Sequence, residues 1–220
     1  MKRRQLPFNQ NLSPAEHSEL SRRIAIHEAG HAVAIYFGNK QKQLPQVYFQ
    51  IIVNDGSCND DIHPTKIEGG RLIHTLPTSS EKIIGELSFA QRNIYQQAVE
   101  ADIINLLAGA LAEAHYVAHR DNELISPRLV TLNALHNYGG SSDLEIVDEY
   151  LQCFFTDKKQ QEKKISELFW IAFDFINDGS HWSAINTLAE HILTNDKCII
   201  GYEEVAAVLD AHFSMATQYA

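Results

Sequence analysis

The pattern of apolar and polar positions divides the chain into a first helix, a short region of strands and a long helical remainder. Ser13-Pro14-Ala15-Glu16 carries three helix-start signals. Serine can cap, proline suits the first helical position, and a glutamate three residues after the serine completes a capping box. Ile24, His31 and Ile35 then recur at helical spacing, with Ala29, Gly30 and Ala32 keeping part of the surface slim. This helix is predicted to run to Phe37 and stop at Gly38-Asn39. Val47–Val53 is β-branched and aromatic and predicts a strand, and Asn54-Asp55-Gly56-Ser57 a turn. A second strand is expected within Lys66–Leu76, ended by Pro77, which cannot donate to a ladder.

From about Thr78 onward the period is helical. A long helix is predicted over Ser88–His119, with Ile103, Leu106, Leu107, Ala110, Leu111 and Ala114 on its apolar side. Pro127 interrupts the pattern, and Tyr138–Ser142 reads as a flexible loop. Further helices are expected from Ser142-Asp143 to Phe155 and over Lys163–Asn177, Trp182–Leu193 and Glu203–Phe213. The expected fold class is mainly α (α+β), with a small β-sheet near the first helix. Residues 1–12 read as a flexible arm and 13–220 as one domain.

Charge narrows the partners. Lys and Arg total 18 against 28 Asp and Glu, a formal net charge of −10. Such a surface repels nucleic acid and anionic lipid, so neither is expected as a partner. Cys58, Cys153 and Cys198 are scattered and form no C-x-x-C pair, which reads as reduced thiols. Met1–Arg4 is basic but Gln5–Gln10 is no apolar signal core, and no apolar stretch approaches the roughly 20 residues that span a bilayer. A cytoplasmic location is expected.

The chemistry concentrates in His27-Glu28-Ala29-Gly30-His31, an H-E-x-x-H motif on the first helix. Residues four apart share a helix face, so both imidazoles can reach one ion. Zinc takes imidazole nitrogens in a tetrahedral shell and keeps one place open at catalytic sites. Glu28 is turned away by about 100°, free to accept a proton from a zinc-activated water and return it to a leaving amine. The bland alternative is a pair of surface histidines, since a chain with 11 histidines can match the pattern by chance. The apolar neighbours Ile24, Ile26, Val33 and Ile35 favour the functional reading. His115 and His119 repeat the spacing, but no glutamate follows His115, and cations near a helix C-terminus are favourable without a metal. His63, His136 and His181 fall in expected loops with no partner spacing.

Ala25-Ile26-His27-Glu28-Ala29-Gly30-His31-Ala32-Val33 resembles the motif helix of the FtsH-type ATP-dependent zinc proteases, in their peptidase domain. Three segments agree in order: Gly70–Pro77 is similar to a strand ending in Leu-Pro, Leu107–Glu113 to a small-residue helix ending in Ala-Glu, and Gly140–Leu144 to a loop-to-helix element containing Asn-Asp-Leu. The tail from Trp182 to Leu209 is similar to the family's last helices. The resemblance implies zinc as cofactor, His27 and His31 as ligands, Glu28 as catalytic base and Asp143 as third ligand. It implies that Glu113 orients a ligand histidine. From the residues alone Asp143 can equally be a first-turn acid favoured by the helix dipole, and Glu113 can be the third ligand or a solvated charge.

The likeness has gaps. The ATPase module and membrane anchors of that family are not read in these residues. Ala108-Gly109-Ala110-Leu111 replaces a double-glycine-arginine step, Ser142 stands where the family has asparagine, and the stretch after Leu151 diverges. The expected activity is ATP-independent zinc endopeptidase cleavage of unfolded polypeptide or peptide, with an ATPase partner in trans as a further option. An extended substrate would pair with an exposed edge of the Lys66–Leu76 strand. The alternatives are a catalytically inactive metal-binding adaptor or regulatory module, and a metal-dependent amidase acting on a small molecule. Two histidines and a carboxylate also suit other divalent ions.

Overall fold

The computed structural model describes residues 13–53, 65–75, 88–126, 130–155 and 157–218. The expected N-terminal arm, the Asn54–Ser57 turn, His63, Pro77 and Pro127 lie outside them.

Helix α1 spans Pro14–Val33 and starts where its signals stand. The Ser13 hydroxyl accepts from the Glu16 amide at 3.4 Å, and the Glu16 carboxylate accepts from the Ser13 amide at 2.8 Å. A cap of this kind stabilises by about 1 kcal/mol. The helix does not stop at Gly38-Asn39. A π-turn over Ala34–Gly38 and a last helical turn, Asn39–Gln41, carry it on. Asn39 is buried and its Oδ1 accepts from Asn105 Nδ2 at 3.4 Å, so tertiary contact overrides the local stop signal.

The expected small sheet is three-stranded and antiparallel: β1 (Phe49–Ile52) lies between β2 (Lys66–Gly69) and β3 (Ile199–Gly201). Ile51 faces Ile67 on one side and Ile200 on the other. The second strand is much shorter than Lys66–Leu76. Gly69 and Gly70 take φ of 88° and 78°, left-handed backbone that ends the pairing. A Cβ at Gly70 would meet the Ile35 side chain at 2.6 Å, so this bend also fits closely over the end of α1.

Helix α2 (Phe89–Arg120) is capped by a second box, Ser88 with Gln91. It crosses α1 at close range through small residues. A Cβ on Gly30 would lie 2.7 Å from Ala112 Cβ and 2.8 Å from the Ala108 carbonyl, and Ala25, Ala29, Ala108 and Ala112 are buried around it. Larger side chains would push the helices apart and open the site. A 3₁₀ turn, Leu132–Asn137, which the hydrophobic pattern does not predict, leads into α3 (Ser141–Phe154). Helices α4 (Lys158–Asn177), α5 (Gly179–Thr194) and α6 (Tyr202–Gln218) complete the order. His181, expected in a loop, lies in the first turn of α5, whose cap is Asp178. Leu107, Leu111, Leu168, Ile185 and Leu188 fill the core between α2, α4 and α5.

No helix among the described residues is long and apolar enough to cross a membrane. Cys198, just before β3, is disulfide-bonded, against the expectation of three reduced thiols. Separation in sequence does not decide separation in space, and the cysteine count therefore no longer points to a reducing compartment.

Candidate metal centre

His27 and His31 sit on the buried face of α1, with exposures of 7% and 5%. Their Nε2 atoms are 3.1 Å apart. Asp143, in the first turn of α3, brings Oδ2 to 3.3 Å from His27 Nε2 and 3.6 Å from His31 Nε2. The three side chains offer one ligand atom each, all within 4.8 Å of one another. No other such group occurs among the described residues.

The far side of each ring is held. His27 Nδ1 is 3.2 Å from Glu113 Oε2, and His31 Nδ1 is 2.7 Å from the Asn105 carbonyl. Both partners only accept, so each Nδ1 carries a hydrogen, and in a neutral ring Nε2 turns its lone pair inward. Two lone pairs and a carboxylate oxygen then face one another at about 3 Å, a convergence that repels itself unless a cation sits among them. Zinc fits this donor set, as do other divalent ions that accept imidazole and carboxylate.

Glu113 does not join the three. Its Oε1 accepts from Arg23 Nε at 2.9 Å and Nη2 at 2.5 Å, and its Oε2 serves His27. With 5% exposure it is no solvated charge either. Arg23 lies four residues before His27 on α1, so Arg23, Glu113 and His27 form a chain that fixes the ring. Arg23 escaped the sequence reading, although its i, i+4 spacing to His27 is a usable signal. The Asn105 carbonyl left none, because a backbone acceptor is the same in every residue.

Two glycines make room. A Cβ on Gly109 would lie 2.5 Å from His31 Cε1 and overlap Nε2. Gly139, at φ 72°, passes so close that a Cβ there would lie 3.0 Å from Glu113 Oε2 and from His27 Nδ1. The turn through Gly139 and Gly140 places Asp143 opposite α1.

Charge sorts accordingly. Burial opposes protonation of His27, but the hydrogen bonds and charges of Asp143 and Glu113 outweigh it and hold the imidazole well above its usual pKa. His31 is raised too, burial again being outweighed by Asp143. Burial works against the Asp143 carboxylate, and the two histidines more than reverse this, holding it far below the usual carboxylate range. The acids favour positive charge on the rings, and the rings in turn favour negative charge on Asp143.

Glu28 is 8% exposed and stands apart from the three. Its Oε2 accepts from the Ile67 amide of β2 at 2.7 Å. Burial raises its pKa, against the lowering effect of His27, His31 and the Ile67 bond. His115 and His119 form no centre: His115 packs on Trp182 with ring centroids 4.0 Å apart, and His119 is exposed. His136 lies in the 3₁₀ turn, 3.2 Å from Ser141 Oγ, and His181 Nδ1 is 3.1 Å from the Phe175 carbonyl.

The chain matches no protein-family model and no curated protein, so the reading of this centre stands on its geometry and on the motifs.

Proposed function

We propose that the chain is a zinc-dependent metallopeptidase built like the peptidase domain of the FtsH-type proteases and working without an ATPase of its own. One observation carries the reading. Three donors converge with the Nδ1 of both imidazoles held from behind, and a buried carboxylate that is not one of the three, Glu28, feels the charge of each of them. A purely structural metal needs the donors and has no use for Glu28.

His27, His31 and Asp143 would hold the ion, which supplies Lewis acidity toward water and a scissile carbonyl. Glu28 takes the proton of the attacking water and delivers it to the leaving amine. Burial makes its carboxylate a better base than a solvated one, which suits proton transfer near neutrality. The Ile67 amide holds Oε2, leaving Oε1 for the water. Arg23, Glu113 and the Asn105 carbonyl keep the rings from turning.

The β2 edge supports an extended substrate. β2 is the outer strand of the sheet, and its Ile67 amide points toward α1. A peptide laid along that edge passes beside Glu28 and is read through its main chain. The edge does not reach Ile73, whose amide donates to Asp102.

The test is hydrolysis of reduced, unfolded casein without ATP, comparing wild type with Glu28→Gln at equal zinc content. Cleavage by wild type that falls by at least about a hundredfold in the variant supports the reading, since proton transfer contributes about 10²–10⁴-fold. No cleavage by zinc-loaded wild type contradicts it.

A further inference from the structure

Asp102 lies in the apolar stretch of α2 and is 1% exposed, with the charge of Arg71 acting on its carboxylate. Its Oδ1 accepts from the Leu72 amide at 2.8 Å, and its Oδ2 from the Ile73 amide at 2.9 Å. Oδ2 also receives the Tyr150 hydroxyl at 2.8 Å, whose oxygen is 3.1 Å from the Ile73 carbonyl. Burial raises the Asp102 pKa, and these three donors together with the Arg71 charge oppose that.

The partners belong to two different parts of the site. Leu72 and Ile73 follow the Gly69-Gly70 bend, so they fix how the chain leaves the β2 edge. Tyr150 is fully buried on α3, seven residues or about two turns after Asp143. On α2 itself, Asp102 is one turn before Asn105, whose carbonyl holds His31. One buried carboxylate thus joins the strand beside Glu28, the helix that carries Asp143 and the helix that steadies His31. An apolar residue could fill the space, but it would take the acceptor from the Leu72 and Ile73 amides, at about 1–3 kcal/mol for a buried one, and leave the Tyr150 hydroxyl only the Ile73 carbonyl.

We propose that Asp102 is a positioning residue of the metal centre, setting the substrate edge through Leu72 and Ile73 and the third ligand through Tyr150. The proposal rests on the metallopeptidase reading and deepens it. The two arms separate. Tyr150→Phe removes the α3 tie, and with it the hydroxyl's contact with the Ile73 carbonyl, but leaves both backbone amides on Asp102. Asp102→Asn keeps the shape but sets an amide NH₂ against one backbone N–H, disturbing the strand exit as well.

The experiment uses the full chain, with zinc affinity from chelator competition and kcat and KM from a fluorogenic peptide, all on folded protein. Tyr150→Phe is expected to bind zinc about tenfold more weakly, the lower end for groups that orient ligands, with KM within about twofold of wild type. Asp102→Asn is expected to lose the same affinity and to raise KM by about tenfold at saturating zinc, in proportion to one lost charge-assisted hydrogen bond. If both variants only melt earlier, with zinc affinity and KM of wild type, the carboxylate is structural and the proposal is overturned. Should Asp102→Asn fail to fold, unchanged zinc affinity in Tyr150→Phe overturns it alone. Wild type that binds no zinc or cleaves nothing defeats the metallopeptidase reading and this proposal with it. Wild type that does both, beside indifferent variants, defeats this proposal only.

Discussion

His27 and His31 stand one turn apart on α1, as His115 and His119 do on α2, and in sequence the two pairs have the same spacing. On α1 every ring nitrogen is engaged. Each Nδ1 meets an acceptor, and both Nε2 atoms meet each other and Asp143. On α2, His115 Nδ1 is buried without a hydrogen-bond partner among the described residues, and its ring lies against Trp182. Burial lowers the His115 pKa, while the acids around His27 and His31 raise theirs. Spacing therefore brings two imidazoles to one face; acceptors behind the rings and a carboxylate in front of them make a cation site.

The largest way to break this difference is to take away the room on α2. Gly109→Ala drives a methyl into the Nε2 edge of His31. Zinc affinity should fall by more than about a hundredfold, beyond the usual loss for a group that merely orients a ligand, and stability by about 1–3 kcal/mol from overpacking. Gly179→Ala, where a Cβ meets nothing within 4 Å, is the control and should leave both unchanged. Calorimetry and chelator competition read the two effects.

Glu113→Gln weakens the acceptor behind His27 without touching the three donors. Zinc affinity should drop about 10–100-fold while stoichiometry stays at one ion per chain. A loss of stoichiometry in this variant, with Asp143→Asn unaffected, would make Glu113 the ligand instead of Asp143.

pH sharpens the comparison further. The Nε2 atoms are 3.1 Å apart, so one proton fills the space between the rings and must leave before zinc enters. Affinity should rise about tenfold per pH unit through the raised histidine range and then level off. Stability of the metal-free chain runs the other way. His27 and His31 are raised in the folded state, so their contribution is full below the unfolded value of about 6.5 and is lost as pH rises through the folded value. Metal-free protein should melt earlier as pH rises through that window, and zinc-loaded protein should not. Scanning calorimetry at several pH values compares them.

The smallest effect belongs to the second pair. His115→Ala should leave zinc affinity at wild type and cost about 0.5–1.5 kcal/mol through the lost contact with the Trp182 ring.

The motif helix and its cap were legible because Ser13, Pro14 and Glu16 act within one turn, and because His27, Glu28 and His31 need only the helical repeat to share a face. Asp143 came from likeness to a family element, since nothing local separates a ligand from a first-turn acid. Three places were illegible for stated reasons. β3 is three residues long, too short to show alternation. Leu72 and Ile73 look like strand, but two left-handed glycines precede them and their amides go to Asp102. Asp102 itself reads as one more helix acid, and only its place among Ala101, Ile103 and Ile104 hints at burial.

The central claim is that His27, His31 and Asp143 hold one zinc ion. X-ray absorption at the zinc edge, on full chain loaded to one equivalent, tests it most directly. The account predicts two imidazole nitrogens at about 2.0–2.1 Å with an oxygen shell at about 2.0–2.2 Å, and loss of one imidazole in His27→Ala. A spectrum with fewer than two imidazoles, or one that His27→Ala leaves unchanged, would contradict it.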